Sequence, residues 1–309
     1  MHRANLLRQV RSFFDQRAFI EVETPLLSAD TVVDRHLDPM RVELPPRAGV
    51  AQTMWLQTSP EFGMKRLLAA GASAIYQVTR AFRWGEAGRW HNPEFTMVEW
   101  YRVGDNMQAA IELLAELARN LLNVKLVEPL SYQDAFIRYA QLDPFDALPT
   151  QLTAACQRLG IEIPIGFEQA DRDDWLDLIL GQFISRQMSS THPVILYDFP
   201  ATQAMLARIR PDQPPRAERF ELFFQGCELA NGYHELLDPD ELRRRAARAN
   251  QQRVADGNRP LPETNRLLAA MEYGLPPCAG VALGFDRLVM LALGARQLDE
   301  VVAFPFDRA

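Results

Sequence analysis

Lysine is almost absent from this chain. Of its 33 basic residues only Lys65 and Lys125 are lysines, and arginine carries the remaining positive charge, which reads as compositional bias. Cysteine is scarce as well. Cys156, Cys227 and Cys278 are odd in number and lack C-x-x-C spacing, which reads as reduced thiols in a cytoplasmic protein. No run of about 18 apolar residues is present, so no membrane-spanning helix is expected. The N-terminal MHRANLLRQVRSFF has no apolar core followed by a small-residue cleavage site, so no export signal is expected. With 40 acidic residues and a net charge of −7, the chain offers no broad basic face for a polyanion. There is no Ser/His or Cys/His nucleophile constellation, no internal repeat and no low-complexity tract.

What remains is ample for one large core: 309 residues, 48% of them hydrophobic. Leu6, Leu7, Val10, Phe13 and Phe14 recur at helical spacing and predict a helix from Ala4 to Phe19. Strand and loop signals dominate from Val42 to Val103. A helix is expected at 106–122, and further helices at 131–160 and 171–188, broken by Pro144, Pro149 and Pro164. Strands resume at 193–199, and the Pro-rich stretch 210–216 reads as a surface loop. The strongly basic helix 241–256 reads as a solvated face, or more sharply as a docking surface for an acidic partner protein. The organisation is a single catalytic domain, 1–309, with a helical insertion at roughly 131–190.

Three segments carry unusual chemistry. In HNPEFTMVEWY (91–101), strand alternation points Phe95, Met97, Glu99 and Tyr101 to one side and Thr96, Val98 and Trp100 to the other. A carboxylate between aromatics, entered from the loop RAFRWGEAGRWHN (80–92), is a plausible floor for a flat base, a phosphate and an ammonium group. The plainer reading is a half-buried strand with Glu99 paired to an arginine. In RFELFFQGCELANGYHELL (219–237), Glu221 and Glu228 could share a hard cation across a hairpin, or belong to solvated acidic strands. Asn231, Tyr233 and Glu235 alternate onto one face. Glu228 and Asn231 differ in parity, so a bulge or turn near Gly226 or Gly232 is needed to bring them together. In GVALGFDR (280–287), Gly280, Ala282 and Gly284 form a row of small residues along which a ligand can lie close to the backbone. Arg287 falls in the first turn of the next helix, where its guanidinium can pair with phosphate or stack on a base. The alternative is a tight strand–helix joint with a surface arginine.

Together these segments resemble the signatures of class II aminoacyl-tRNA synthetases. FIEVETPLLS (19–28), with Pro25, is similar to the first signature, residues 83–101 to the second and residues 280–287 to the third. Within the class, TSPEFGMKRLL (58–68), HNPEFTMVEWY and ELANGYHEL (228–236) most resemble lysyl-tRNA synthetases. Their stand-alone relatives, the elongation factor P lysyl-ligases, are nearer still. ELANGYHEL, GVALGFDRLVMLALGA and the ending VVAFPFDRA carry that likeness, which runs over nearly the whole chain. The resemblance implies an α+β fold, a six-stranded antiparallel sheet flanked by helices, with the segment around Pro25 building a homodimer interface. The catalytic pattern starts almost at residue 1, so no OB-fold anticodon-binding domain is expected. A protein, not a tRNA, is expected to accept the amino acid.

The implied reaction has two steps. The carboxylate of a lysine-like amino acid attacks the α-phosphate of ATP, giving an aminoacyl-adenylate and pyrophosphate. A lysine ε-amine of elongation factor P then attacks the activated carbonyl and displaces AMP. No enzyme nucleophile is needed; catalysis is positioning plus charge stabilisation. Carried over by motif, Arg83 contacts the α-phosphate and the substrate carboxylate. Arg287 binds the far end of ATP and stacks on adenine, with Phe95 on the other face. His91 and Asn92 touch the nucleotide, Gly284 lets it approach, and Glu221 and Glu228 hold Mg²⁺. Trp84, Gly85, Glu86 and Leu229 complete the nucleotide site. Ser59, Pro60, Glu61, Glu99, Tyr101, Asn231, Glu235 and Ala282 form the amino-acid pocket. Three buried carboxylates (Glu61, Glu99 and Glu235) would be costly without cations, and a diamine supplies them.

Lysyl-tRNA synthetases have Gly where Ala282 stands, which points to (R)-β-lysine over α-lysine; one methyl shifts preference by roughly 1–3 kcal/mol. One departure is plain. The second signature usually reads Phe-Arg-Asn-Glu, and here it reads Phe82-Arg83-Trp84-Gly85 followed by Glu86. Either Glu86 substitutes through a shift of the loop or the backbone at Trp84 and Gly85 suffices, and ATP binding is expected to be measurable but weak. Two alternatives stand beside the ligase. A trimmed lysyl-tRNA synthetase is opposed by Ala282 and the missing OB-fold. A catalytically weak or dead paralogue, sensing an amino acid or regulating a partner, is supported by Gly85 alone.

Overall fold

The computed structural model describes residues 1–47, 50–167, 170–263 and 265–309, so positions 168–169 of the expected insertion lie outside the described residues. Helix α1 (His2–Asp15) buries Leu6, Val10, Phe13 and Phe14 as one stripe. It ends before the expected Phe19, and Ala18 takes a left-handed φ of 58° as the chain turns. Strands β1 (Ile20–Glu21) and β2 (Leu27–Ser28) precede the hairpin strands β3 (Arg41–Arg47) and β4 (Val50–Leu56). Within the stretch where strand and loop signals were expected to dominate, Glu61–Ala69 forms helix α2. Its buried stripe is Glu61, Met64, Lys65 and Leu68, so charge interrupts the apolar periodicity by which a helix is recognised. Gly63 suits α2 because a Cβ there would lie 2.7 Å from Thr24 Cγ2.

Strands β5 (Ala74–Phe82) and β6 (Glu94–Val103) form the next antiparallel pair, followed by α3 (Met107–Leu122). Then come β7 (Glu128–Ser131), α4 (Tyr132–Ala135, continued by a wider turn to Ala140), α5 (Pro149–Leu159), α6 (Arg172–Ile179) and α7 (Ser185–Met188). Pro149, expected to break a helix, instead starts α5 at the position where its missing N–H costs nothing. Strands β8 (Val194–Pro200), β9 (Ile209–Arg210), β10 (Arg216–Phe224) and β11 (Cys227–His234) follow, and α8 (Pro239–Ala255), α9 (Arg266–Gly274), β12 (Cys278–Gly284) and α10 (Phe285–Ala292) complete the major elements. Among the described residues no helix is long and apolar enough to cross a membrane.

The chain divides into two compact units, Met1–Asn106 with Glu235–Ala309, and Met107–His234. In the first, the main sheet runs β1-β5-β6-β12, and β2-β4-β3 form a separate sheet. In the second, the order is β11-β10-β8-β7 with β9 beside β10. The α+β class is as expected. Among the described residues, however, the first unit contributes four such strands and the second five, where six were expected in all, and the pairs β1/β5 and β7/β8 are parallel. The second unit's core gathers Tyr132, Phe136, Trp175 and Phe199 with aliphatics from α5 to β8.

In the first unit α1 covers one face of the sheet. Phe14 stacks on Tyr76 with centroids 4.6 Å apart and meets Trp100 at 5.2 Å. Tyr76 pairs with Trp100 across β5 and β6, while Gln77 pairs with Glu99 on the opposite face. The hydrophobic effect therefore assigns Trp100 to the face beneath α1 and leaves Phe95, Met97, Glu99 and Tyr101 together on the other.

Candidate active site

That second face carries the site. Across β6 and β12, Gly280 pairs with Tyr101, Ala282 with Glu99 and Gly284 with Met97, so the small residues lie directly beside the acid and the aromatics. A Cβ on Gly280 would come 2.1 Å from Tyr101 Cε1 and 2.7 Å from Glu235 Oε1, so only glycine fits. Glu99 is buried and accepts hydrogen bonds from Ser59 Oγ (2.8 Å) and Tyr101 Oη (2.6 Å). Burial, then the charge of Glu61, push its pKa up to about 7 against those two donors and Lys65. Burial and the surrounding carboxylates hold the Tyr101 phenol well above its ordinary value.

Ser59, Pro60 and Glu61 form the entry to α2. Ser59 Oγ accepts the N–H of Glu61 (3.0 Å), which places that carboxylate in the helix's first turn. Glu235 is pinned beside β12 by its N–H, which donates to Cys278 O (3.0 Å). Between the two carboxylates lies Lys65, 2% exposed, its Nζ 2.5 Å from Glu61 Oε1 and ion-paired with Glu235 Oε2. Burial opposes its charge, but Glu235 and Glu61 outweigh burial, so its pKa is raised. Burial likewise raises Glu235, with Lys65 opposing, and Glu235 Oε1 is buried without a hydrogen bond. Ser59, Glu61, Glu99, Tyr101 and Glu235 thus share one neighbourhood with Lys65, a residue to which the sequence reading gave no role. Its i, i+4 spacing from Glu61 and its rarity in this chain were the available signals.

The loop from β5 to β6 brings Arg83 over the Phe95 ring, 5.1 Å from its centroid. Arg83 Nε is buried without a hydrogen-bond partner, and Nη1 lies 3.7 Å from Glu86 Oε1. Gly85 has φ 81°, the left-handed region in which a glutamate would be strained. The loop therefore turns at the position where the family carries Glu, and Glu86 is the carboxylate that reaches Arg83. Trp84 is 63% exposed, and its N–H donates to Asp38 O. That loop, 34–38, is clamped by Arg253, the buried arginine of α8, which donates to the carbonyls of Asp34 and Leu37 and to the Asp38 carboxylate (2.6 Å). Elsewhere α8 pairs Arg243, Arg244 and Arg245 with its own Asp240 and Glu241 in a solvated network.

Arg287 Nε donates to Trp90 O (3.0 Å), and Nη2 meets His91 Nε2 at 2.6 Å. Its neighbour Asp286 accepts the Thr96 N–H and pairs with Arg3, which fixes the start of α10 against β6. The Asn92 carboxamide is engaged within the protein: Nδ2 donates to Glu94 O and Oδ1 accepts the Phe306 N–H.

In the second unit, Glu221 pairs with Asn231 and Phe223 with Glu228, the register slipping between Leu222 and Phe223. The slip leaves Leu229 extra on β11. This is the bulge that parity demanded, placed at Leu229 instead of at Gly226 or Gly232. It brings Glu221, Glu228 and Asn231 to one face. Glu221 is buried and ion-paired with Arg219; burial raises its pKa, Arg219 opposes and Glu228 adds to the rise. Asn231 Oδ1 is buried without a hydrogen bond, and the Leu229 side chain is buried. Among the described residues no group of three or more His, Cys, Asp or Glu is arranged to hold a metal. Two carboxylates on one face do match the donor set of a Mg²⁺ that also takes phosphate oxygens.

A family model described as tRNA synthetases class II (D, K and N) matches residues 1–308. Among similar proteins, one from Edwardsiella ictaluri (strain 93-146) is 46% identical over 311 residues, covering 100% of this chain and 95% of the relative. One from Klebsiella pneumoniae (strain 342) is 46% identical over 310 residues, again 100% and 95%. One from Vibrio cholerae serotype O1 is 46% identical over 308 residues, 99% and 95%. Each of the three is named elongation factor P–(R)-β-lysine ligase.

Proposed function

Because the chain belongs to the class II tRNA synthetases of the D, K and N type, we propose that it is an ATP-dependent ligase joining (R)-β-lysine, or lysine, to a lysine ε-amine of elongation factor P. The names of its relatives, at 46% identity over the full chain, support this and speak against a catalytically silent paralogue. The observation that carries the reading is the buried cluster of Glu61, Glu99 and Glu235, packed with Tyr101 against Gly280, where only a residue without a Cβ fits. Three acids with one internal ammonium still lack cations, and a diamine brings two.

In this reading the substrate's ammonium groups meet Glu61, Glu99, Tyr101 and Glu235, with Glu235 Oε1 as the acceptor left without a partner, and Asn231 is assigned to the substrate by its motif alone. Its carboxylate meets Arg83, whose orphaned Nε suits an anion, and is thereby aimed at the α-phosphate. Arg83 then stabilises the charge that develops there. Arg287, kept extended by Trp90 O and His91, serves the far end of the nucleotide, and Phe95 supplies an aromatic face for adenine. Glu221 and Glu228 would hold Mg²⁺, which screens the triphosphate. Asn92 acts on the nucleotide through the loop and tail it joins. In the second step an uncharged lysine amine of the partner attacks the activated carbonyl and AMP leaves. The protein works in the cytoplasm as a homodimer, with a protein and not a tRNA as acceptor.

Mass spectrometry of elongation factor P after incubation with this protein, Mg-ATP and each lysine isomer tests the proposal. Addition of one lysyl or β-lysyl residue is expected, and an unmodified factor in every reaction overturns it.

A further inference from the structure

We infer that Lys65 is a positioning residue that sets the charge of the amino-acid pocket and fixes the spacing of its two flanking carboxylates; this rests on the reading of that pocket as a diamine site. The chain spends arginine on nearly every cationic position, yet at this fully buried one it carries a lysine. The reason is geometric. An arginine fork is planar and suits one carboxylate held by two parallel bonds, whereas an ammonium is a compact point charge with three divergent donors. Lys65 uses those donors on two acids from different segments: Glu61, one turn back on its own helix, and Glu235, which is tied to β12.

The groups facing Lys65 come from each neighbouring element. They are Glu61 on α2, Glu99 and the Tyr101 ring (5.9 Å) on β6, Glu235, and Cys278 on β12, whose thiol burial and Glu235 push up to about 12. Once a bound diamine has expelled the Glu99 proton, three carboxylates against one ammonium leave two negative charges, the number a substrate with two ammonium groups neutralises. Without Lys65 the cluster would exceed the substrate's charge by one. A buried excess of that kind is relieved by taking up a proton, which removes an acceptor the substrate needs. Lys65 also occupies Glu235 Oε2 and leaves Oε1, close against Gly280, without a hydrogen bond. The lysine thus divides one carboxylate between structure and ligand.

The test compares wild type, Lys65→Met, Lys65→Ala and the double variant Lys65→Met/Glu61→Gln. Thermal unfolding without substrate reads the charge balance apart from any reaction. Lys65→Met is expected to melt below wild type, and adding Glu61→Gln is expected to raise the melting temperature again, because the double variant restores the pocket's net charge. Two independent truncations would lower it further, and that result overturns the charge role. Lysine-dependent pyrophosphate release reads positioning. Lys65→Ala is expected to raise KM for lysine by roughly tenfold or more with a smaller change in kcat, and n-propylammonium, but not guanidinium, is expected to restore most of that loss. A folded Lys65→Ala with wild-type KM, or one indifferent to the added amine, overturns the positioning role. Should wild type itself release no pyrophosphate with any lysine isomer, the ligase reading fails, and the melting comparison still decides the charge role.

Discussion

Gly280→Ala is the smallest change that probes how closely the pocket is built. The added methyl would lie 2.1 Å from Tyr101 Cε1 and 2.3 Å from Cδ1, far inside van der Waals contact. Tyr101 is 3% exposed and donates a 2.6 Å hydrogen bond to Glu99, so its ring cannot retreat without disturbing that bond. Overpacking of this kind costs about 1–3 kcal/mol, which in a chain of this size lowers the melting temperature by several degrees. The methyl also sits 2.7 Å from Glu235 Oε1, the acceptor assigned to the substrate, so KM for lysine should rise roughly tenfold or more. Gly160→Ala is the control. No atom lies within 4 Å of its methyl, and only the left-handed φ of 67° opposes it, at about 1–2 kcal/mol with no effect on lysine. Thermal unfolding and lysine-dependent pyrophosphate release measure both variants. A Gly280→Ala protein with the wild-type melting temperature and KM would refute the argument.

Three other perturbations follow from the same geometry. Arg83→Ala and Arg287→Ala should each reduce kcat/KM for adenylation tenfold to a few hundredfold, since a charge-assisted hydrogen bond contributes roughly 1.5–3 kcal/mol; equal rates in pyrophosphate release would contradict this. Burial raises Glu99 to about 7, so the folded protein holds a proton that the unfolded chain releases; this contribution to stability is full at low pH and is lost as pH rises towards 7. A diamine favours the ionised form, so binding near pH 6 should expel protons. Calorimetry in buffers of different ionisation enthalpy should then give different heats for wild type and smaller differences for Glu99→Gln. Arg253→Met should leave the carbonyls of Asp34 and Leu37 unpaired, cost about 1–3 kcal/mol and, through Asp38 and Trp84, raise KM for ATP; an unchanged nucleotide titration would count against that linkage.

The strands that build the pocket were legible because their alternation is strict. Phe95, Met97, Glu99 and Tyr101 share a face with Gly280, Ala282 and Gly284, and the pairing of β6 with β12 sets the two rows side by side. Helix α2 was not legible. Its buried stripe has two charged positions out of four, and hydrophobic periodicity cannot register a lysine buried between two glutamates. Lys65 was given no role for the same reason: its burial depends on Glu235, far away in sequence. The bulge at Leu229 was foreseen as a requirement of parity, but nothing local marks Leu229, whereas Gly226 and Gly232 drew attention as the flexible residues. The departure at Gly85 became intelligible only with its φ. Asn92 has the same sequence whether it meets a nucleotide or the N–H of Phe306.

The most direct test is ATP-dependent pyrophosphate release with (R)-β-lysine, with lysine, and with norleucine, which matches lysine in shape but lacks the terminal ammonium. A pocket of three buried acids around Lys65 should accept the diamines and reject norleucine by about 10⁴-fold or more, because the monoamine leaves buried carboxylates unpaired. Comparable rates with norleucine and lysine would contradict the account.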